Sequence, residues 1–154
     1  MKKLIVAMLM ATVVCPIAIA QSPTAPVPDA ADPVFMQPQD LKWQVYPGGT
    51  KVTILHIDPT TRTTELLIWN PPNTHVPRHW HSANEKISII SGTFIMKHDD
   101  GGVPVALNAG AFAYMPAKMI HEAWTKPDTD ALYFITVDGA WDYNVVENPT
   151  KATQ

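Results

Sequence analysis

Residues 79–92 read His-Trp-His-Ser-Ala-Asn-Glu-Lys-Ile-Ser-Ile-Ile-Ser-Gly, and the reading of this stretch decides the rest. His79 and His81 are two apart, so on a strand both imidazoles leave the same face, while Arg78 and Trp80 point the other way. Ser82-Ala83-Asn84 is turn-forming. Glu85 opens the next run, and its carboxylate can point back toward the two histidines.

Outward from this stretch the texture is the same. Short runs rich in β-branched and aromatic residues cover 42–46, 52–57, 64–69, 75–81, 85–90, 93–98, 103–107, 111–115, 121–125 and 132–137. Turn chemistry separates them: Pro47-Gly48-Gly49, Asp58-Pro59, Asn70-Pro71-Pro72, Asp99-Asp100-Gly101-Gly102 and Asn108-Ala109-Gly110. No segment holds a 3.6-residue apolar period. About ten short strands at even spacing predict an all-β barrel or sandwich over residues 39–150.

The ends differ from this body. Lys2 and Lys3 precede an apolar run from Leu4 to Ala20 that contains Pro16 and closes on Ala18-Ile19-Ala20. That run is short for a membrane span and carries a small-x-small cleavage pattern, so residues 1–20 read as a secretory signal cut near Ala20-Gln21. Residues 21–38 hold five prolines and read as an extended arm, and residues 151–154 as a tail. Cys15, the single cysteine, falls in the signal. Lipidation there is disfavoured by Val14 before it and Pro16 after it. The mature chain of 134 residues then has nine basic and fourteen acidic side chains and no thiol. The net charge of −5 gains nothing from a phosphate backbone, which argues against nucleic acid. Export predicts a periplasmic or secreted protein, with no membrane attachment once the signal is removed.

His121 opens a later run just after Pro116, and it can supply a third imidazole from the facing sheet. Three neutral imidazoles and a carboxylate suit one divalent transition ion such as Fe, Mn, Ni, Cu or Zn. Residues 79–92 also fit H-x-H-x3-E-x6-G, and residues 110–121 fit G-x5-P-x4-H. In these two motifs the chain resembles the cupins. It is similar in particular to small secreted single-domain members that begin near Asp40–Trp43 and end on Trp141–Val146 and Asn148-Pro149. The resemblance implies a double-stranded β-helix, a small jelly-roll barrel, with His79, His81, Glu85 and His121 as metal ligands. Three positions depart from the pattern: Asn73 and Lys118 where glycine is usual, and Thr125 where asparagine is frequent. None of them is a ligand position.

The remaining candidates are read more plainly. His75 shares strand parity with His79 and His81, which allows a place near the cavity mouth, but it reads first as a solvated loop residue after Pro71-Pro72, and His56 and His98 read as structural. Trp69, Phe94, Met96, Phe112, Tyr114 and Trp124 read as core. Of these, Phe94, Met96, Phe112 and Tyr114 are expected to line a pocket, with Tyr114 as a hydroxyl donor. Glu122 faces away from His121 by parity, so no second carboxylate serves the site. The fold allows many activities. The leading expectation is a metal-dependent dioxygenase acting on a small organic molecule, and the alternative is a non-catalytic binding or sensing module. A homodimer crossed by the extended arm is compatible with either.

Overall fold

The computed structural model describes residues 32–99 and 101–146, and the barrel body begins at Phe35. The expected signal, most of the proline-rich segment, Asn148-Pro149 and the last four residues lie outside the described residues.

The strands are β1 (Gln44–Val45), β2 (Lys51–Ile57), β3 (Thr64–Asn70), β4 (His75–Trp80) and β5 (Glu85–His98), then β6 (Val105–Asn108), β7 (Phe112–Met115), β8 (His121–Trp124), β9 (Ala131–Val137) and β10 (Asn144–Val145). All pairings are antiparallel, in the order β1-β2-β3-β9-β5-β8-β4-β10, with β6 and β7 also on β5. The chain forms the expected jelly-roll barrel, a double-stranded β-helix. Among the described residues no helix is long and apolar enough to cross a membrane.

β5 joins the two walls. Its first half pairs with β7 and β9, and its second half with β6 and β8. The sequence suggests two separate strands here. They are one strand, bent where Ile90 is an extra residue between the pairs Ile89–Tyr133 and Ser91–Leu132. Gly92 follows at φ +76°, and a Cβ there would lie 2.0 Å from the Asp130 carbonyl oxygen. The bulge resets the alternation. Glu85, Ile87 and Ile89 face inward before it, and Phe94 and Met96 after it. β9 presents Tyr133, Ile135 and Val137 to the same interior, and β3 presents Leu66 and Ile68.

Two pocket expectations fail here. Phe112 and Tyr114 are 61% and 50% exposed. β7 pairs with β5 so that Ala113 lies opposite the inward Ile87, and Phe112 opposite the outward Ser88. Ala113 and Met115 therefore face the core, and the two aromatic rings face solvent. The two positions where glycine is usual do take left-handed backbone, Asn73 at φ 59° and Lys118 at φ 65°. Asparagine tolerates this well and lysine less so.

Candidate metal centre

His79 and His121 are direct cross-strand partners on β4 and β8, as are Val76 and Ala123. Three steps on β4 thus match two on β8, which places one extra residue between Val76 and His79. Pro77 sits in that bulge, where the amide hydrogen that proline lacks is not needed for the ladder. The bulge also breaks the parity that the sequence suggests for His75. Val76 packs toward the core. His75 stands at the cavity mouth with its side chain 62% exposed, 3.4 Å from Glu122. His121 comes from the strand beside β4 rather than from the facing sheet. Glu85 is the residue that crosses, from the β7–β9 side of β5.

All four side chains are buried. The imidazole centroids are 4.2 Å apart for His79–His121, 4.9 Å for His79–His81 and 5.4 Å for His81–His121. One ligand nitrogen of each ring lies within 4.8 Å of the other two. His79 Nδ1 donates to the Pro77 carbonyl at 2.7 Å, His121 Nδ1 to the Met119 carbonyl at 3.0 Å, and His81 Nδ1 to the Asp142 carbonyl. A carbonyl only accepts, so each neutral ring carries its proton on Nδ1 and keeps a lone pair on Nε2. Glu85 faces two of those lone pairs, 3.7 Å from His81 Nε2 and 3.8 Å from His121 Nε2.

Electrostatics agree with the geometry. Burial, helped by neighbouring His121, pushes His79 from its ordinary 6.5 to about 3. Burial also lowers His121. Burial raises Glu85, against the pull of His81. Two imidazoles held neutral by burial, His79 and His121, therefore flank a buried carboxyl, and a bound divalent cation would supply the counter-charge its ionised form needs. The residues present fit such an ion.

A stability prediction follows for metal-free protein. His79 and His121 have folded values below their unfolded ones, so their contribution is full above 6.5 and is lost on acidification, for His79 as pH falls through 6.5 toward about 3. Glu85 is raised above 4.5, so its contribution is present below 4.5 and is lost as pH rises through the folded value. The thermal midpoint of chelator-treated protein is expected to fall on acidification from about pH 7 to about pH 4. The fall is expected to be shallower in His79→Gln. Equal acid slopes in the two proteins would contradict this assignment.

The four residues line a cavity of about 510 Å³. Phe94 and Met96 line it as the sequence suggests, with Ile87, Ile135, Ile68 and Val52. The segment Trp141–Val145 is what sequence reasoning missed. β10 pairs with β4, setting Val145 opposite His79. The Tyr143 ring lies 4.3 Å from His79, inclined by 31°. The Asp142 carboxylate accepts from Ser82 N and Oγ and from Asn144 Nδ2, which fixes the carbonyl that orients His81. Arg78 is on the outer face with Asp99, Nε to Oδ1 at 3.0 Å.

Comparison with known proteins places this geometry in a wider group. The family model described as the ChrR cupin-like domain matches residues 31–139. No curated protein sequence matches the chain. The polyketide cyclase RemF from Streptomyces resistomycificus superposes with a TM-score of 0.66 at 19% identity, covering 77% of this chain and 89% of that one. For the DMSP lyase DddQ from Ruegeria pomeroyi the TM-score is 0.55 at 18% identity, covering 64% and 56%. The structure of Rhodobacter sphaeroides SigE in complex with the anti-sigma ChrR gives 0.55 at 22%, covering 66% of this chain and 51% of that one. At these identities the likeness is one of fold.

Proposed function

Because the chain belongs to the ChrR cupin-like domain family, we propose that the barrel holds one divalent transition metal on His79, His81, Glu85 and His121. We propose further that it is an exported metal-dependent enzyme of dioxygenase type acting on a small organic molecule. The observation that carries this reading is the shared tautomer, with three Nε2 lone pairs and one carboxylate converging in the lining of a largely apolar cavity. When bound, the metal supplies Lewis acidity and, for iron, manganese or copper, a one-electron couple. The protein does the rest. Pro77, Met119 and Asp142 hold the imidazoles in orientation through their carbonyls. Ile87, Phe94, Met96 and Ile135 exclude water and receive an apolar skeleton.

The oxygen-dependent reading is favoured over proton-transfer chemistry by what lines the cavity. Among the described residues Glu85 is the only carboxylate there, and no lysine or arginine joins it. Burial raises Tyr133 and Tyr143, opposite to what a general base needs. The signal-like residues 1–20 support export, which directs attention to substrates found outside the cytoplasm.

The test is metal content of the exported protein by mass spectrometry, followed by oxygen uptake with a panel of small aromatic and organic-acid substrates. Near-stoichiometric iron, manganese or copper with oxygen consumption is the expected result. Zinc or nickel without uptake would overturn the dioxygenase reading, and failure to take up any ion would overturn the metal centre. A second reading, a non-catalytic sensing module, draws on the family model's ChrR description and the fold shared with the anti-sigma ChrR. It predicts that chelation lowers stability while no panel member is turned over.

A further inference from the structure

Away from the metal ligands, the cavity wall carries a directed chain of hydrogen bonds. Thr50 Oγ1 donates to Asn70 Oδ1 at 2.8 Å, and Asn70 Nδ2 donates to the Tyr133 hydroxyl oxygen at 2.9 Å. All three residues line the cavity. Asn70 is fully buried and Tyr133 is 4% exposed. An amide nitrogen only donates, so the Tyr133 oxygen acts here as acceptor and its own proton is left over. Among the described residues no acceptor receives that proton. The ring cannot swing to seek one, because it stacks on Phe94 at 4.5 Å between centroids. A second lining residue shows the same bias: the Trp141 Nε1–H is buried without a partner among the described residues.

The wall thus offers buried donors that have no acceptors of their own. A donor kept from both water and protein acceptors is costly, and a ligand acceptor relieves that cost. We infer that Tyr133 is a substrate-binding residue, donating to an oxygen acceptor (a carbonyl, carboxylate or enolate) carried on an apolar, ring-sized skeleton. Thr50 and Asn70 are positioning residues that aim its proton. This rests on the proposed metal centre only for what happens to the substrate afterwards, because the donor exists with or without an ion. Burial, with Glu85 and Tyr143 nearby, raises the Tyr133 hydroxyl well above its ordinary value. Tyr133 therefore stays protonated, and a donor rather than a base is what it provides.

The test uses the full chain, metal-free and zinc-loaded, with two probes of matching shape: acetophenone, and isopropenylbenzene, in which a methylene replaces the carbonyl oxygen. Metal-free wild type is expected to prefer acetophenone by about tenfold, the worth of one buried hydrogen bond. Tyr133→Phe is expected to lose that preference while its affinity for isopropenylbenzene is unchanged. The carbonyl stretch of bound acetophenone is expected at lower frequency in wild type than in the variant. Equal weakening of both probes would mean that Tyr133 only supports the wall, and would overturn the inference. So would equal affinity of the two probes in wild type, the result expected if the Asn70 amide is turned and itself accepts the Tyr133 proton. Zinc content, measured in the same samples, reports the metal centre separately. Loss of zinc binding with the probe preference intact would defeat the proposed centre and leave the Tyr133 assignment standing.

Discussion

Replacing His121 with alanine is expected to leave a folded barrel that no longer retains the proposed metal. The substitution removes one of three nitrogen donors and separates Glu85 from one of the two imidazoles it faces. Loss of a residue that only orients a ligand typically lowers metal affinity by about 10- to 100-fold, and loss of a ligand should exceed that range. On the enzyme reading proposed above, turnover should fall with metal content. The fold should persist, because the largest fully buried apolar side chains, Leu66, Ile87, Ile135 and Val137, belong to β3, β5 and β9. Metal content, far-ultraviolet circular dichroism and turnover measured together decide the matter. Wild-type metal stoichiometry with unchanged turnover would remove His121 from the centre.

Gly92→Ala is expected to be the most destabilising small substitution in the barrel. Two terms combine. The residue sits at φ +76°, where an L side chain adds about 1–2 kcal/mol of backbone strain. The new Cβ would also lie 2.0 Å from the Asp130 carbonyl oxygen, which already accepts from Thr93 N at 3.0 Å. Backbone must move to relieve this, and the side chain of Asp130 accepts the indole proton of Trp69 at 2.9 Å. A loss of about 3–5 kcal/mol is expected, at the upper end of what single substitutions do. Gly110→Ala is the control, with a similar φ of +86° but open space around its Cβ, so only the backbone term of about 1–2 kcal/mol should remain. Urea midpoints of the two variants should differ clearly. Equal midpoints would show that β5 absorbs the clash.

Much of this molecule is legible from residue order alone. Strand-length runs between glycine, proline and asparagine turns are dictated by local sterics, and alternation assigns most faces without further information. Ile87, Phe94, Tyr133 and the outward Arg78 and Glu122 all follow that rule. It fails wherever the register slips. The extra residue between Val76 and His79 turns His75 outward, and Ile90 with Gly92 welds two expected strands into one. Neither bulge has a signature in hydrophobicity, because each is defined by the partner strand. The resemblance to cupins puts Phe112 and, as a hydroxyl donor, Tyr114 among the residues expected at the cavity, yet β7 is read correctly only once its pairing with Ser88 and Lys86 is known. Asp142, Tyr143 and β10 escaped for a different reason. A two-residue strand has no period to detect, and the contact of Tyr143 with His79 spans sixty-four positions of chain.

The three Nδ1–H bonds have a further consequence. They tie the rings to main-chain carbonyls in the β4 bulge, the turn before β8 and the segment before β10, so donor spacing is fixed when the barrel folds. The protein then resembles a rigid macrocycle more than a flexible chelator: its denticity is set in advance, and little entropy is lost when an ion arrives. Such a cage cannot reshape itself around each ion's preferred coordination. Competition among divalent ions should then depart from the intrinsic Irving–Williams order, which adaptable ligands follow, in favour of the ion whose size and preferred coordination match the preset donors.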